Sequence, residues 1–216
     1  MKKQIVLISA LTASLLTFFP SQKSSASVLT FDINGIQNGA LISQDYGDNI
    51  NSTNNGIFNY EEGNGFTPNI TVSNNLSFWQ EGYGDLNGVG YSSDGEGLVS
   101  FTPDTGYRVR LNSFDIASYA PDQNDQILQI LDGNDNILLD LGPLSFQNVE
   151  TQTFTNLNIV SGGILKIRFG NNDFIGIDNI DFDQVLEIPE PSSMVGILFL
   201  GGLGLASMKK KEKIRG

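Results

Sequence analysis

The chain has 216 residues, with 24 acidic and 12 basic side chains, no histidine, no cysteine and a net charge of −12 at pH 7. Without histidine and cysteine there can be no Ser-His-Asp triad, no cysteine nucleophile, no thiolate zinc site and no disulfide bond. The acidic balance argues against a nucleic-acid partner, because phosphate groups require a basic surface.

The first 26 residues have the pattern of a secretory signal peptide. Two lysines at positions 2 and 3 precede an uncharged apolar run over residues 5–19, and Ser-Ser-Ala at 24–26 supplies the small residues that signal peptidase requires. A retained anchor helix is the alternative, although 15 apolar residues are short for a membrane span. We therefore expect signal peptidase to release the domain that follows outside the cytoplasm.

Residues 27–188 form the predicted exported domain, which carries 22 acidic but only four basic residues, a net charge of −18. The length suits one domain with one core. Segments rich in asparagine (22 residues in the domain) and glycine (19 residues) separate short strand-like runs, and no amphipathic helix is evident. This pattern predicts an all-β domain, a β-sandwich of jelly-roll type.

Four runs have the strand pattern in chain order, namely residues 28–33, 107–111, 164–169 and 174–182. In the second run the alternation of apolar and polar residues slips at Ser113, after which Phe114 and Ile116 take over the apolar face. Such a slip predicts a bulge or bend in that strand.

A β-hairpin is predicted over residues 127–139, with its turn in the Asp-Gly-Asn-Asp-Asn sequence of residues 132–136. The same five residues resemble the start of an EF-hand calcium loop. Ile137 occupies the position where that loop needs glycine, and no flanking helices are evident. The plain hairpin is therefore favoured.

A metal site is predicted at Asp45, Asp48 and Asp178, because calcium prefers carboxylate and carbonyl oxygens. Asp178 lies in an otherwise apolar strand, where an unpaired carboxylate is costly to bury. The Asp45 to Asp48 loop becomes its partner if the two ends of the domain meet. A solvated acidic surface, or a buried hydrogen-bond network around Asp178, is the alternative.

A glycan site is predicted at Trp79, Tyr83 and Tyr91, because sugar rings stack on aromatic faces. The alternative is that the large aromatic residues fill the core. Phe78 and Trp79 are adjacent, so they face opposite sides of a regular strand. We expect Trp79, the only tryptophan, to point inward and Tyr83, in a Gly-Tyr-Gly loop, to be exposed.

An enzymatic alternative is a glycosidase, which requires two carboxylates roughly 5–10 Å apart. With 22 acidic residues in the domain, no spacing singles out such a pair. The glycine-rich run over residues 82–88 does not have nucleotide-loop spacing. No catalytic residue is therefore predicted.

The C-terminal end combines three elements: Pro189-Glu190-Pro191, an uncharged apolar segment over residues 192–208, and five basic residues within 209–215. The segment is just long enough for a transmembrane helix, and the basic cluster places the tail in the cytoplasm and the domain outside. An ordinary single-pass anchor is the alternative.

In this order the three elements resemble the PEP-CTERM sorting signal of Gram-negative bacteria, including cyanobacteria. The resemblance covers residues 189–216 and implies processing by the membrane enzyme exosortase. It also implies a membrane-anchored precursor, later a cell-surface or extracellular protein, with exopolysaccharide as a partner.

Parts of the domain resemble exported cyanobacterial PEP-CTERM proteins, namely residues 44–48, 78–79, 82–86, 111–115 and 176–180. The Ile-Asp-Asn-Ile run at 177–180 also resembles the last strand of galactose-binding-like jelly rolls. That resemblance implies a carbohydrate-binding or adhesion fold, often with a structural calcium ion beside the first and last strands. Function carried by fold alone is analogy.

Taken together, these patterns predict a non-catalytic surface or matrix protein that binds glycan, calcium or both. An extracellular polysaccharide hydrolase is one alternative, and a structural matrix component without a discrete ligand is another.

Overall fold

The computed structural model describes residues 26–51, 58–60 and 66–187, with the backbone alone for 58–60. Every strand pairing among these residues is antiparallel, and they contain no helix, as the all-β prediction requires. The strands are β1 Ser27–Ile33, β2 Phe58–Tyr60, β3 Ile70–Asn74, β4 Ser77–Trp79, β5 Val89–Tyr91, β6 Gly97–Pro103, β7 Tyr107–Ser118, β8 Gln123–Gln126, β9 Leu128–Asp132, β10 Ile137–Asp140, β11 Leu144–Phe146, β12 Thr151–Phe154, β13 Ile159–Ser161, β14 Leu165–Phe169 and β15 Ile175–Leu186.

The predicted signal peptide (apart from Ala26), the Pro-Glu-Pro motif and the predicted transmembrane segment lie outside the described residues. Within the described ranges no helix is long and apolar enough to cross a membrane.

An eight-stranded sheet is built around β7 and β15, which pair along their whole lengths. The other edge of β15 is shared, with β5 beside its first half and β1 beside its second half. β12 and β13 share the free edge of β7 in the same way. The first and the last described strands are therefore neighbours, and the end of β7 lies beside the start of β15, with Ser118 opposite Ile175.

A five-stranded sheet, in the order β10-β9-β14-β6-β3, packs against this sheet as in a sandwich. In β14 Leu165, Ile167 and Phe169 are buried while Lys166 and Arg168 alternate with them, which confirms the predicted period of two. A third, two-stranded sheet consists of β8 and β11.

The core between the two sheets is made of apolar side chains from both. Phe101 of β6 and Phe182 of β15 meet across it with ring centroids 4.8 Å apart. Burying each large apolar side chain contributes roughly 1.5–3 kcal/mol. With no cysteine in the chain, this packing has no disulfide to supplement it.

The slip at Ser113 is confirmed as an irregularity between β7 and β15. Ser113 pairs with Asp181 and Leu111 with Phe182, which leaves Asn112 as an extra residue on β7. A second shift lies between Asp178 and Asp181, so that β15 has the extra residue there. Together the two bulges let apolar residues return to the core face after the break in alternation.

The predicted hairpin is formed by β9 and β10. The Asp132 carboxylate accepts hydrogen bonds from the backbone amides of Asn134 (2.8 Å) and Asn136 (2.9 Å) and from the Asn136 side chain (2.8 Å). These bonds, that from the Asn136 side chain foremost, lower the pKa of Asp132. The turn amides thus use the carboxylate oxygens that an EF-hand loop would give to calcium, in agreement with the plain hairpin.

Candidate functional site

Five aromatic side chains form what we call the aromatic patch, on the face of the eight-stranded sheet opposite the core: Trp79, Tyr83, Tyr91, Tyr119 and Phe174. They line a depression of about 110 Å³ together with Asp173. The three aromatic residues of the predicted glycan site are thus brought together. Tyr119, Phe174 and Asp173 were not predicted.

Strand pairing places the patch residues side by side. Trp79 ends β4 and Tyr91 ends β5, and these two strands pair. Tyr119 directly follows β7 and Phe174 directly precedes β15, and the Tyr119 amide donates to the Phe174 carbonyl at 2.8 Å. The patch therefore lies where the central pair of strands meets the short hairpin of β4 and β5.

The rings pack at angles that range from edge-on to nearly parallel. Trp79 lies edge-on to Tyr91 (centroids 6.1 Å apart, 87°) and to Tyr119 (5.9 Å, 79°). Tyr83 lies 6.1 Å from Tyr91 and 5.2 Å from Tyr119, and Tyr119 stacks with Phe174 at 6.5 Å. Edge-to-face and offset contacts of this kind are the favourable geometries for aromatic pairs.

The patch has a buried floor and an exposed rim. Tyr83 and Tyr91 form the floor, 4% and 8% exposed, whereas Tyr119 and Phe174 at the rim are 41% and 39% exposed. Trp79 is partly exposed. The rim thus presents aromatic surface to solvent above a buried base.

The expectation for Trp79 and Tyr83 was wrong in both cases. Phe78, not Trp79, enters the core, and Trp79 takes the opposite face, as alternation along a strand requires. Tyr83 is buried because its loop folds down onto the sheet, where its hydroxyl donates a hydrogen bond to the Asp173 carbonyl oxygen. Burial, with smaller contributions from Tyr91, Asp173 and Tyr119, raises the pKa of Tyr83, so the hydroxyl stays protonated as a donor.

Glycine makes the close docking of this loop feasible. Gly82 and Gly84 have φ of +97° and +55°, a region that side chains with a Cβ disfavour. A Cβ at Gly84 would lie 2.2 Å from the Thr151 hydroxyl oxygen. Beneath the loop, a Cβ at Gly176 of β15 would lie 2.8 Å from Val89 and 3.0 Å from the Tyr83 ring. Small residues on the sheet thus leave room for the floor of the patch.

A polar groove of about 660 Å³ lies on the other side of the Tyr83 loop. It is lined by three acidic residues, Asp85, Asp115 and Glu150. The Gly84 amide donates to the Ser118 carbonyl (3.1 Å), which joins the loop to the strand end that carries Tyr119. The groove and the aromatic patch are therefore neighbours, separated by one loop.

The acidic residues of the groove are engaged within the protein. The Asp85 carboxylate accepts a hydrogen bond from the Thr151 hydroxyl at 2.5 Å, and Asp115 accepts one from the Asn179 side chain at 2.8 Å. Glu150 accepts one from the Gln147 amide at 3.2 Å. These bonds hold the groove walls in place.

The three residues of the predicted metal site are not assembled into one. Asp45 is exposed and accepts from Ser43, while Asp48 accepts from the Val72 amide at 2.6 Å. Burial raises the pKa of Asp48. The described residues hold no group of three or more acidic side chains that could hold a metal ion. Calcium binding by any one of these residues stays a prediction.

Asp178 is buried, as its apolar strand suggested, with 5% of its surface exposed. Its carboxyl accepts a hydrogen bond from the Asn179 amide at 2.7 Å, in the bulge where Asn179 has φ of +50°. Burial, together with the nearby carboxylates of Asp32 and Asp115, raises the pKa of Asp178 to about 9. The group therefore holds its proton at neutral pH.

No protein-family model and no curated protein matches the chain. Among solved structures, the chain is similar to TmCBM61 in complex with β-1,4-galactotriose, at 14% identity and a TM-score of 0.27, over 55% of this chain and 88% of that one. It is also similar to the enzymatically active domain of tailspike protein 4 of bacteriophage CBA120, at 15% identity and a TM-score of 0.24, over 54% of this chain but 19% of that one. Likenesses this distant carry no conclusion about ligand or activity, which must come from the site itself.

Proposed function

We propose that the protein is a non-catalytic, exported glycan-binding protein and that the aromatic patch holds the sugar. The observation that carries this proposal is the exposed rim of Tyr119 and Phe174, beside the partly exposed Trp79, above a buried aromatic floor. Soluble proteins rarely leave clustered aromatic surface in water unless it contacts a partner. The apolar face of a sugar ring stacks on such surfaces, and Asp173 at the edge accepts hydrogen bonds from sugar hydroxyls.

We also propose that the domain has a galactose-binding-like jelly-roll fold and that it has no catalytic activity. Two packed antiparallel sheets, with the first described strand beside the last, are compatible with a galactose-binding-like jelly roll. A hydrolase requires a carboxylic acid and a second carboxylate free to act on the substrate. The groove carboxylates are hydrogen-bonded to Thr151, Asn179 and Gln147, which favours binding over hydrolysis.

The test uses the full-length chain and a panel of hexasaccharides of glucose, galactose, mannose and N-acetylglucosamine. Because Trp79 is the only tryptophan, its fluorescence reports on the patch alone. We expect at least one hexasaccharide to change the emission, and Trp79→Ala to abolish its binding in calorimetry while the melting temperature falls by only about 2–8 °C, so that the domain stays folded.

The matched control is Tyr107→Ala, a partly exposed aromatic residue at the opposite end of β7. It should leave binding unchanged. If Trp79→Ala binds as tightly as the parent, the patch is not the glycan site. If no hexasaccharide of this panel binds, and hexasaccharides of glucosamine and of galacturonic acid also fail to bind, the structural matrix component becomes the better interpretation.

We further propose that Pro189-Glu190-Pro191 directs sorting by exosortase, after signal peptidase has removed residues 1–26. Changing all three residues to alanine in the native host should leave a full-length, membrane-retained precursor, because a rigid extended segment beside the membrane would be lost. Normal processing and display of this variant would overturn the sorting proposal.

A further inference from the structure

The size of the depression limits what can enter it. At about 110 Å³ it is far smaller than the roughly 300–1,000 Å³ of a typical ligand pocket. A depression of this size has room for one substituent of a sugar but not for a whole sugar. The chemistry of the lining therefore determines which substituent is recognised.

The lining has the composition of a site for an organic cation. Five aromatic rings surround it, with Trp79 at 87° and 79° to two of them, so that a group entering from the rim meets ring faces as well as edges. Aromatic faces attract ammonium groups within about 6 Å of the ring centroid, and tryptophan does so best. Asp173 lies at the edge of the same depression, and its negative charge acts on the Tyr83 hydroxyl at the floor.

The charges around the patch have one sign. Asp173 lines the depression, and Asp85, Asp115 and Glu150 line the neighbouring groove; neither lining includes a lysine or arginine. In the described part of the chain, each of the four basic residues lies in an ion pair elsewhere, namely Arg108 with Glu187, Arg110 with Asp183, Lys166 with Asp135 and Arg168 with Glu96. The negative electrostatic potential of the acidic side chains around the patch attracts cationic ligands and repels anionic ones.

We propose that the aromatic patch recognises a protonated amine of an amino sugar, so that the preferred ligand is a polysaccharide of partly unacetylated amino sugars. The amine enters the depression beside Asp173, and the chain continues over the Tyr83 loop towards the acidic groove, where further amines meet Asp85 and Glu150. Uronic-acid polymers are rejected by the same potential. The inference rests on the glycan-binding function proposed above and specifies its ligand class.

The experiment titrates the full-length chain with three hexasaccharides, of glucosamine, of N-acetylglucosamine and of galacturonic acid, and follows Trp79 fluorescence and calorimetry at physiological ionic strength. We expect the glucosamine hexamer to bind at least tenfold more tightly than its acetylated form, and the galacturonic acid hexamer not to bind. Asp173→Asn should weaken binding of the glucosamine hexamer severalfold while leaving binding of the acetylated hexamer unchanged.

The control variant separates the site from general attraction of a polycation to an acidic protein. Asp104→Asn removes the same charge from an exposed residue just before β7, at the opposite end of this 12-residue strand from Tyr119. An equal effect of Asp104→Asn and Asp173→Asn would overturn the inference. Equal affinity for acetylated and unacetylated hexamers, or tighter binding of galacturonic acid, would overturn it and leave the glycan-binding function standing. If none of these three sugars and none of the neutral panel binds, both proposals fail.

Discussion

Two aromatic clusters lie on opposite faces of the same eight-stranded sheet. On the inner face, Phe31, Phe114 and Phe182 are sealed against the five-stranded sheet, whereas on the outer face Tyr119 and Phe174 keep about two fifths of their surface in water. Residues of one chemical kind are thus packed into the core on one side and left partly exposed on the other. Whether a strand residue enters the core is decided by its register, not by its hydrophobicity alone.

The sharpest test of this comparison changes two adjacent residues, Phe78 and Trp79. Phe78→Ala should cost roughly 3–5 kcal/mol of unfolding free energy, because it leaves a cavity in the core. Trp79→Ala should cost only about 1–2 kcal/mol, because the side chain is partly exposed. Urea unfolding of both variants gives the two values. Equal losses, or a larger loss for Trp79→Ala, would show that the two faces are assigned the wrong way round.

The buried floor of the patch can be displaced by a substitution at a glycine, with all five aromatic residues left unchanged. Gly176→Ala should cost roughly 1–3 kcal/mol and shift the Trp79 emission, because the added Cβ would lie 2.8 Å from Val89 and 3.0 Å from the Tyr83 ring. Gly163→Ala is the matched control, since a Cβ there meets no atom within 4 Å. A neutral Gly176→Ala would contradict the tight packing of the floor.

The outer face also buries a carboxyl group, and this makes stability depend on pH. In the unfolded chain the Asp178 carboxyl has its ordinary pKa of 3.8, whereas burial raises its pKa in the folded protein to about 9. The folded state therefore binds more protons between these values, and stability falls as pH rises through this window. Between pH 5 and 8 we expect a loss of at least about 1 kcal/mol, or roughly 2–4 °C in melting temperature.

Asp178→Asn should flatten this dependence, while Asp104→Asn, on the exposed surface, should not. Melting curves across pH 5–9 provide the measurement, and an unchanged slope in Asp178→Asn would assign the effect to other groups. Repeating the curves in calcium chloride and in sodium chloride at equal ionic strength tests the predicted calcium site. A calcium-specific increase that disappears in Asp178→Asn would support it.

The rim should contribute least to stability. Tyr119→Ala and Phe174→Ala are each expected to cost below about 1 kcal/mol, because much of each ring is already in water. Both should nevertheless weaken glycan binding about tenfold in the calorimetric titration. A large loss of stability would show that these rings belong to the packed core, and intact binding would show that they do not contact the proposed ligand.

Local patterns predicted the elements of the fold better than their arrangement. Alternation in residues 165–169, the turn at Asp132 and the slip at Ser113 are all readable within a few residues, and the structure has each of them. Trp79, Tyr83 and Tyr91 also lie close enough in the chain to be grouped. Tyr119 and Phe174 were missed because they meet only through the pairing of β7 with β15, whose register no local pattern reveals.

The antiparallel pairing of β7 and β15 determines how the protein responds to force. Tyr119 continues from the end of β7, whereas the chain leaves β15 after Leu186, at the far end of the same ladder. If a sugar is held at the patch as proposed, the load that passes through Tyr119 pulls β7 towards one end of the ladder, while a hold on the chain beyond Leu186 pulls β15 towards the other, so the two strands are sheared past each other. In this shearing direction the hydrogen bonds of the whole ladder resist together instead of opening one at a time. We therefore expect the ladder of β7 and β15 to stay intact under load if the domain is anchored and holds a polymer as proposed above.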